Sequence, residues 1–204
     1  MPALLPLFAA AAAAFAPPVN IPSQPQLTHQ IHDADAALFK LFFEGPCDRA
    51  RFRSMITDDV EFYHDKGGFN VRKPEDFVGQ FEERCAKLAD PANTRQRREL
   101  VESSLHVDPI PGWGAMEIGD HLFYERQGMK GDWKLVGKAS FAMVWVLGVD
   151  GSWRVSRVLS YSHAPAQELI EAPTPSGATH PRRSASPAHG ISAEWLLFPH
   201  GRMI

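Results

Sequence analysis

The chain has 204 residues, of which 44% are hydrophobic and 22% charged, and its formal net charge is −3 at pH 7. This length and hydrophobic content are typical of one globular domain with extensions. The near-neutral charge, without a long run of like charges, excludes a basic nucleic-acid-binding arm or an acidic tail. The small cluster Arg95, Arg97 and Arg98 is interpreted as a solvated rim, and no nucleic acid is predicted as a partner.

Residues 1–16 have features of a signal peptide. Their apolar run ends in Ala14-Phe15-Ala16, a small-x-small cleavage pattern, and is too short to span a bilayer. The lack of Lys or Arg before Lys40, and Pro17 at the first mature position, argue against export, so an unstructured leader is the alternative. We expect a periplasmic or extracellular location if the signal peptide is genuine, a cytoplasmic location otherwise, and no integral membrane segment.

Residues 17–27 are predicted to be a Pro-rich linker, and residues 28–165 a domain that opens with helices. Thr28 is expected to cap the first helix, which Gly45 and Pro46 end. Asp48 is expected to cap a short second helix, and Pro74 to open a third. Apolar residues at helical spacing mark the buried faces of the two long helices: Ile31, Ala34, Leu38, Leu41 and Phe42, then Phe77, Phe81, Cys85 and Leu88.

A strand is predicted at 59–65, closed by Lys66-Gly67-Gly68, and four further β-like runs at 97–107, 114–126, 133–148 and 152–163. Turn signals separate the four runs, among them 109–112 and Asp150-Gly151. Helices followed by uninterrupted strands indicate an α+β fold with an antiparallel sheet. Residues 166–204 are predicted to be a mostly disordered tail because their composition buries little apolar surface. The apolar segment 193–198 within the tail could dock on the domain or stay loose.

Cys47 and Cys85 are too few for a disulfide scaffold. Two buried free thiols and, in an oxidising compartment, one bridge both remain open. The sequence has no CxxC, GxSxG or SxxK motif and no dinucleotide-binding fingerprint. No cofactor is therefore predicted.

The order helix, helix, strand, helix and then four strands resembles the cone-shaped fold of the nuclear transport factor 2-like superfamily. The stretches DDVEFYHDKGG (58–68), GAMEIGDHLFYE (114–125) and WRVSRVLSYSHAP (153–165) resemble strands of an uncharacterised subgroup of its SnoaL-like and ketosteroid-isomerase-like members. The resemblance implies a cone-shaped α+β roll, in which a strongly curved antiparallel or mixed sheet packs on three N-terminal helices around a pocket. The superfamily includes isomerases, cyclases, dehydratases and pure ligand binders, so the fold does not specify a reaction.

The resemblance also implies a homodimer through the outer face of the sheet. The run 133–148 agrees with this, because both of its faces are apolar. Ala139, Phe141, Met143 and Trp145 share one face of this run, and Ala142, Val144 and Val146 share the other. A sheet with one wet face would alternate more cleanly, so we expect both faces to be covered.

Strand parity sorts the candidate site residues. If Val60 and Phe62 face the core, His64 does too. Gly119, His121 and Phe123 are expected to share a face in their strand, as are Arg157, Leu159, Tyr161 and His163 in theirs. The catalytic candidates are His64, Tyr161 and His163, and the candidate pocket residues are Phe62, His121, Trp145 and Arg157.

Three functions fit these residues. The first is a small-molecule-binding domain without chemistry. The second is a cofactor-free isomerase, cyclase or dehydratase, with His64 as proton-transfer base and Tyr161, His121 or Arg157 polarising a carbonyl. The third is a protein-interaction module that uses the outer sheet face.

Two further expectations concern the histidines. Asp65 could orient His64, but neighbours on a strand face opposite ways, so a role in the turn at Gly67 and Gly68 is favoured. No metal site is predicted, because the histidines are isolated in sequence and no HxH or HExxH spacing brings two together.

Overall fold

The computed structural model describes residues 18–167; the predicted signal peptide, the segment 193–198 and nearly all of the predicted tail lie outside this range. The helices are α1 Gln26–Glu44, α2 Arg49–Ser54 and α3 Pro74–Ala89, with a short 3-10 helix at Glu102–Ser104. The strands are β1 Ile56–His64, β2 Gly68–Val71, β3 Thr94–Leu100, β4 His106–Ile110, β5 Gly114–Gln127, β6 Lys134–Leu147 and β7 Trp153–Pro165. Within residues 18–167, no helix combines the length and apolarity needed to cross a membrane.

The strands form one mixed sheet with the order β2-β1-β7-β6-β5-β3, and β4 pairs with the other end of β5. Strands β1 and β7 are parallel, and the remaining pairs are antiparallel. The sheet is not closed into a barrel, and the three helices pack on it. This arrangement confirms the predicted α+β class and the curved mixed sheet on three helices.

The helices follow the predicted apolar spacing, with small differences at their ends. Helix α1 begins at Gln26, because the hydroxyl of Thr28 donates to the side chain of Gln24 (2.5 Å) instead of capping the helix. The side chain of Asp48 accepts a hydrogen bond from the backbone N–H of Arg51 (2.9 Å) and caps α2 as predicted.

Aromatic rings fill the space between the three helices and β1. We call Phe42, Phe52, Phe77 and Phe81 the phenylalanine cluster. The rings of Phe52 and Phe81 stack with centroids 4.5 Å apart, and Phe77 meets Phe52 edge-on at 5.1 Å. A disulfide between Cys47 and Cys85 ties the α1–α2 loop to α3 beside this cluster. Of the two alternatives for these cysteines, the structure therefore has the bridge.

Two short strands differ from the predicted pattern. The run 97–107 is divided between β3 and β4 by the 3-10 helix, and β2 was not predicted. Pro109, which was expected in a turn, lies in β4. Strand β4 pairs with β5 alone, and an edge strand tolerates a residue that lacks an N–H donor.

The described part of the predicted linker lies against the domain. The N–H of Val19 donates to the carbonyl of Gly112 (3.0 Å), and the side-chain amide of Gln24 donates to the carbonyl of Val107 (2.7 Å). Leu27 is fully buried. Residues 18–27 therefore cover the β4 side of the sheet.

Two arginines of β3 are not part of a solvated rim. The side chain of Arg98 is 2% exposed and faces α1, and buried Arg95 donates to the backbone carbonyls of Leu88 and Asp90 at the end of α3. The solvated-rim prediction is wrong for these two residues, because their part of the chain is covered by helices.

Candidate functional site

Three histidines from β1, β5 and β7 converge on the inner face of the sheet. Val60, Phe62 and His64 are all buried, which confirms the predicted parity of β1. The ring of His64 stacks on that of His163 with centroids 4.2 Å apart. Phe123 links this pair to His121, since its centroid lies 6.1 Å from His163 and 4.6 Å from His121.

A β-bulge in β7 sets which of its residues join this cluster. The register with β6 gains one residue on β7 between Tyr161 and Ala164, and Ser162 adopts φ 58°. Ser160 and His163 are therefore both buried, whereas Tyr161 is 42% exposed. The predicted common face for Tyr161 and His163 is wrong because of this extra residue.

Arg157 also lies on the outer side of the sheet. Its guanidinium forms ion pairs with Asp59 (3.2 Å) and Glu61 (3.1 Å) there. The structure thus brings His64, His121 and His163 together beside buried Phe62, and places Tyr161 and Arg157 apart from them. Buried Trp145 contacts Glu117 instead of the histidines.

His163 and Asp65 form the Asp65–His163 dyad. The Oδ1 of Asp65 lies 2.6 Å from Nδ1 of His163, and its Oδ2 accepts the backbone N–H of His163 (3.2 Å). Partial burial alone would raise the pKa of Asp65, but these bonds to His163 hold that pKa below its ordinary value. An ionised Asp65 fixes the proton of His163 on Nδ1, so Nε2 presents a lone pair.

His64 caps the turn that was assigned to Asp65. Its Nδ1 accepts the backbone N–H groups of Lys66 (3.1 Å) and Gly67 (3.2 Å). The Asp65 oxygen 3.4 Å away is also an acceptor, so this contact is not a hydrogen bond. The proton of His64 therefore sits on Nε2. Burial, together with the charge of His163, lowers the pKa of His64 to about 4, which keeps the ring neutral.

A second buried group, the interior polar network, consists of Asp35, Arg98, His121, Glu117 and Trp145. Asp35 on α1 is ion-paired with Arg98 on β3, and Nε of Arg98 donates to Nδ1 of His121 (3.1 Å). Burial raises the pKa of Asp35 although the charge of Arg98 opposes it. Burial and the charge of Arg98 put the pKa of His121 well below its ordinary value.

Glu117 is the acid of this network that sequence reasoning missed. It is fully buried, and its Oε2 accepts the indole N–H of Trp145 (2.7 Å). Burial, with the charge of Asp35, raises the pKa of Glu117 to about 8. Since Oε2 is an acceptor, the carboxyl proton sits on Oε1. The shared parity of Glu117, Gly119 and His121 on one strand could have located it.

Several buried polar atoms of these two groups have no hydrogen-bond partner within residues 18–167. They are Asp35 Oδ1, His64 Nε2, Arg98 Nη2, Glu117 Oε1 and His121 Nε2. An unsatisfied buried polar atom costs about 1–3 kcal/mol, so native proteins pair such atoms with protein, water or ligand. The inner face of the sheet therefore carries several donors and acceptors without a protein partner among these residues.

The histidine pair does not fit a metal ion. His64, Asp65 and His163 each offer one ligand atom, and these atoms lie within 4.8 Å of one another. However, Nδ1 of His64 already accepts two backbone N–H groups. The stacked rings are only 16° from parallel, so their in-plane lone pairs do not converge as coordination requires.

Comparison with known proteins identifies the fold. No family profile and no curated protein matches the sequence. The protein Aln2 from a Streptomyces species is 12% identical, with a TM-score of 0.56 over 74% of this chain and 98% of that one. A protein from Catenulispora acidiphila is 16% identical, with a TM-score of 0.55 over 73% and 98%.

A third similar structure is named after its fold. An NTF2-like protein with a cystatin-like fold from Novosphingobium aromaticivorans is 13% identical, with a TM-score of 0.51 over 66% of this chain and 80% of that one. The chain therefore has the fold of the nuclear transport factor 2-like superfamily, which confirms the resemblance noted from its strands.

Proposed function

We propose that the protein binds a small molecule between its helices and the inner face of its sheet. The observation that carries this proposal is the set of unpaired polar atoms on Asp35, His64, Arg98, Glu117 and His121, which lie on four different elements. A structure of the same fold from Catenulispora acidiphila, 14% identical with a TM-score of 0.54 over 73% of this chain and all of that one, was solved in complex with S-DNPA. That complex supports the use of such an interior for small ligands.

The chemistry of the interior indicates the class of ligand. The Nε2–H of His64, the Oε1–H of Glu117 and the guanidinium of Arg98 are donors, so the ligand needs acceptor oxygens. The rings of Phe39, Phe123 and Phe141 border His121, and those of Phe39 and Phe141 also border Arg98. A compact aromatic carbonyl compound satisfies both conditions.

Binding is tested by calorimetry with a panel of aromatic ketones, esters and phenols. Glu117→Met removes the Oε1–H donor and should weaken binding about tenfold, in line with one lost buried hydrogen bond. Glu117→Gln, whose amide replaces the protonated carboxyl, is the matched control and should bind within about twofold of the parent. Failure of the whole panel to bind, or equal binding by both variants, contradicts the proposal.

A second candidate function is proton transfer at a carbon next to a carbonyl, as in a cofactor-free isomerase, cyclase or dehydratase. The Asp65–His163 dyad favours it, because the dyad keeps the proton of His163 on Nδ1 and makes Nε2, 3.3 Å from Oγ of Ser160, the basic nitrogen. His163 is a better base than His64, because the Nδ1 lone pair of His64 already accepts two backbone N–H groups. His163→Gln should abolish deuterium exchange into a bound ketone observed by NMR, while Tyr161→Phe should leave it unchanged.

We also propose export and a homodimer through the outer sheet face. The disulfide is typical of oxidising compartments, which supports export.

The proposed dimer interface is a row of register partners on the outer face, across β1, β7, β6 and β5: Tyr63, Leu159, Ala142 and Ile118. The side chains of Tyr63, Leu159 and Ile118 are each about two-fifths exposed. Analytical ultracentrifugation should show a dimer that Leu159→Glu dissociates. A monomeric parent protein would instead favour the interaction-module alternative.

A further inference from the structure

We propose that Ser160, His163 and Asp65 form a nucleophilic triad that accepts the acyl group of a small ester or thioester. This activity goes beyond the binding and proton transfer proposed above. It rests on the proposed function only in requiring that a small molecule reach the inner face of the sheet.

The three side chains are linked in the order that nucleophilic catalysis requires. The Oγ of Ser160 lies 3.3 Å from Nε2 of His163, and Nδ1 of His163 lies 2.6 Å from Oδ1 of Asp65. Because Asp65 holds the proton on Nδ1, Nε2 is the acceptor for the serine hydroxyl. A base that contacts the nucleophile and is itself oriented by a third group is the arrangement that activates a serine.

The backbone of β7 is distorted to create this contact. On a regular strand, residues three apart point to opposite faces, so Ser160 and His163 would lie on opposite sides of the sheet. The bulge at Ser162, with φ 58°, returns His163 to the inner face beside Ser160. A left-handed conformation costs a non-glycine residue about 1–2 kcal/mol, and such strain concentrates at functional sites.

The surroundings keep each group in its working protonation state. Bonds from His163 hold the pKa of Asp65 low in spite of its partial burial. Burial lowers the pKa of His163 although Asp65 opposes this, so the ring is a neutral base at pH 7. His64 is the register partner of Ser160 on the neighbouring strand, and its unpaired Nε2–H is a donor available to an oxyanion.

The acyl transfer balances without any cofactor. The Oγ of Ser160 bonds to the carbonyl carbon while its proton passes to Nε2 of His163, and the carbonyl electron pair moves onto oxygen. The bond from carbon to the alcohol or thiol then breaks, and His163 returns the proton to that leaving group. Water, deprotonated in turn by His163, adds to the acyl carbon. The bond from that carbon to Oγ then breaks, His163 returns the proton to Oγ of Ser160, and the carboxylic acid is released.

The test is the reaction of the full-length protein with p-nitrophenyl acetate and with a small fluorophosphonate, followed by mass spectrometry. We expect one acetyl or phosphonyl group on Ser160, and none on Ser160→Ala. Ser156→Ala is the matched control, because Ser156 is a buried serine of the same strand whose hydroxyl contacts the carbonyl of Val144 instead of a histidine. Modification of another residue, or equal labelling of Ser160→Ala, overturns the triad.

Two further variants separate chemistry from structure. His163→Gln should slow acetylation about 100-fold or more. Asp65 is a positioning residue, so Asp65→Asn should both slow the reaction and move the midpoint of its pH profile to lower pH, because the anion that raises the pKa of His163 is lost. An unchanged midpoint in Asp65→Asn overturns the role of Asp65.

The outcomes for binding and acylation can be told apart. If aromatic carbonyl compounds bind the parent protein and Ser160→Ala equally, but neither ester nor fluorophosphonate labels Ser160, the triad is wrong and the binding proposal stands. If the panel does not bind and no label appears, both proposals are wrong. Labelling of Ser160 together with binding supports both.

Discussion

The phenylalanine cluster and the interior polar network lie in the same fold, but they differ in how well their side chains are satisfied. Among residues 18–167, the rings of the cluster are packed on one another, whereas the network keeps polar atoms without partners. Phe52 and Phe81 are fully packed by neighbouring rings and need no other partner. In the network, Arg98 and Glu117 are equally shielded from solvent but keep polar atoms without partners. The difference indicates that aromatic packing and the disulfide supply stability, so that the network can carry buried polar groups for the ligand binding that we propose.

The sharpest test of this contrast pairs two large destabilisations. Phe52→Ala should lower the free energy of unfolding by about 3–5 kcal/mol through a cavity. Arg98→Leu should lower it by about 3–5 kcal/mol, because the buried charge of Asp35 loses its partner. Only Arg98→Leu should also weaken ligand binding. Urea denaturation and calorimetry measure the two quantities.

A double variant serves as the control for Arg98. Arg98→Leu combined with Asp35→Leu leaves no unpaired charge and should recover most of the lost stability. Met129→Ala, at a site 55% exposed, should change the free energy of unfolding by no more than about 0.5 kcal/mol. Loss of ligand binding in folded Phe52→Ala would contradict the separation of the two regions.

The next effect is a pH optimum set by the polar groups. The pKa values of His64, His121 and His163 lie below their ordinary value in the folded chain, that of His64 at about 4. As the pH falls, these histidines are therefore protonated in the unfolded chain before they are protonated in the folded chain. The free energy of unfolding consequently decreases below about pH 6.5. Glu117, with its pKa raised to about 8, stabilises the fold at low pH and loses this contribution as the pH rises from about 4.5 to 8.

Together these shifts predict a maximum of stability near pH 6.5, since each group contributes a slope of about 1.4 kcal/mol per pH unit within its own window. Urea denaturation from pH 5 to pH 9 measures the curve. Glu117→Gln should remove the share of Glu117 in the alkaline fall and make the acid side steeper, because between about pH 4.5 and 6.5 Glu117 opposes the rise that the histidines produce. An identical alkaline slope in this variant would show that Glu117 is ionised at neutral pH.

The smallest predicted effect concerns the bulge. Ser162→Gly should change the free energy of unfolding by no more than about 1 kcal/mol, because glycine accepts the left-handed conformation but adds entropy to the unfolded chain. Ser162→Val, which is branched at Cβ, should lose about 1–3 kcal/mol. NMR of the His163 ring should show the hydrogen bond to Asp65 retained in the glycine variant and disturbed in the valine variant.

Sequence patterns predicted the elements whose signals are local. The apolar spacing of Ile31, Leu38 and Phe42 located α1, and the side chain of Asp48 located the start of α2. Strands β2 and β4 were missed because they are only four and five residues long, and Pro109 in β4 imitates a turn. Short edge strands carry too little periodicity to be distinguished from loops.

The site was predicted less completely because its contacts are distant in sequence. Parity placed His64 and His121 on the inner face, but it grouped His163 with residues that face outward. The pairing of Asp65 with His163 spans 98 positions and depends on the parallel neighbours β1 and β7. A bulge that reverses parity after Tyr161 has no signal in the residue pattern. Arg98 was missed because its partner Asp35 is also distant in sequence, 63 positions away on α1.

The covalent link between Cys47 and Cys85 makes the protein sensitive to thiol reagents. The two residues are 38 positions apart, and closing a loop of this length restricts the unfolded chain by about 4 kcal/mol. That is a large fraction of the roughly 5–15 kcal/mol that holds a typical domain folded. Dithiothreitol at the millimolar levels used in purification would therefore yield a material with a markedly lower melting temperature than protein kept in air.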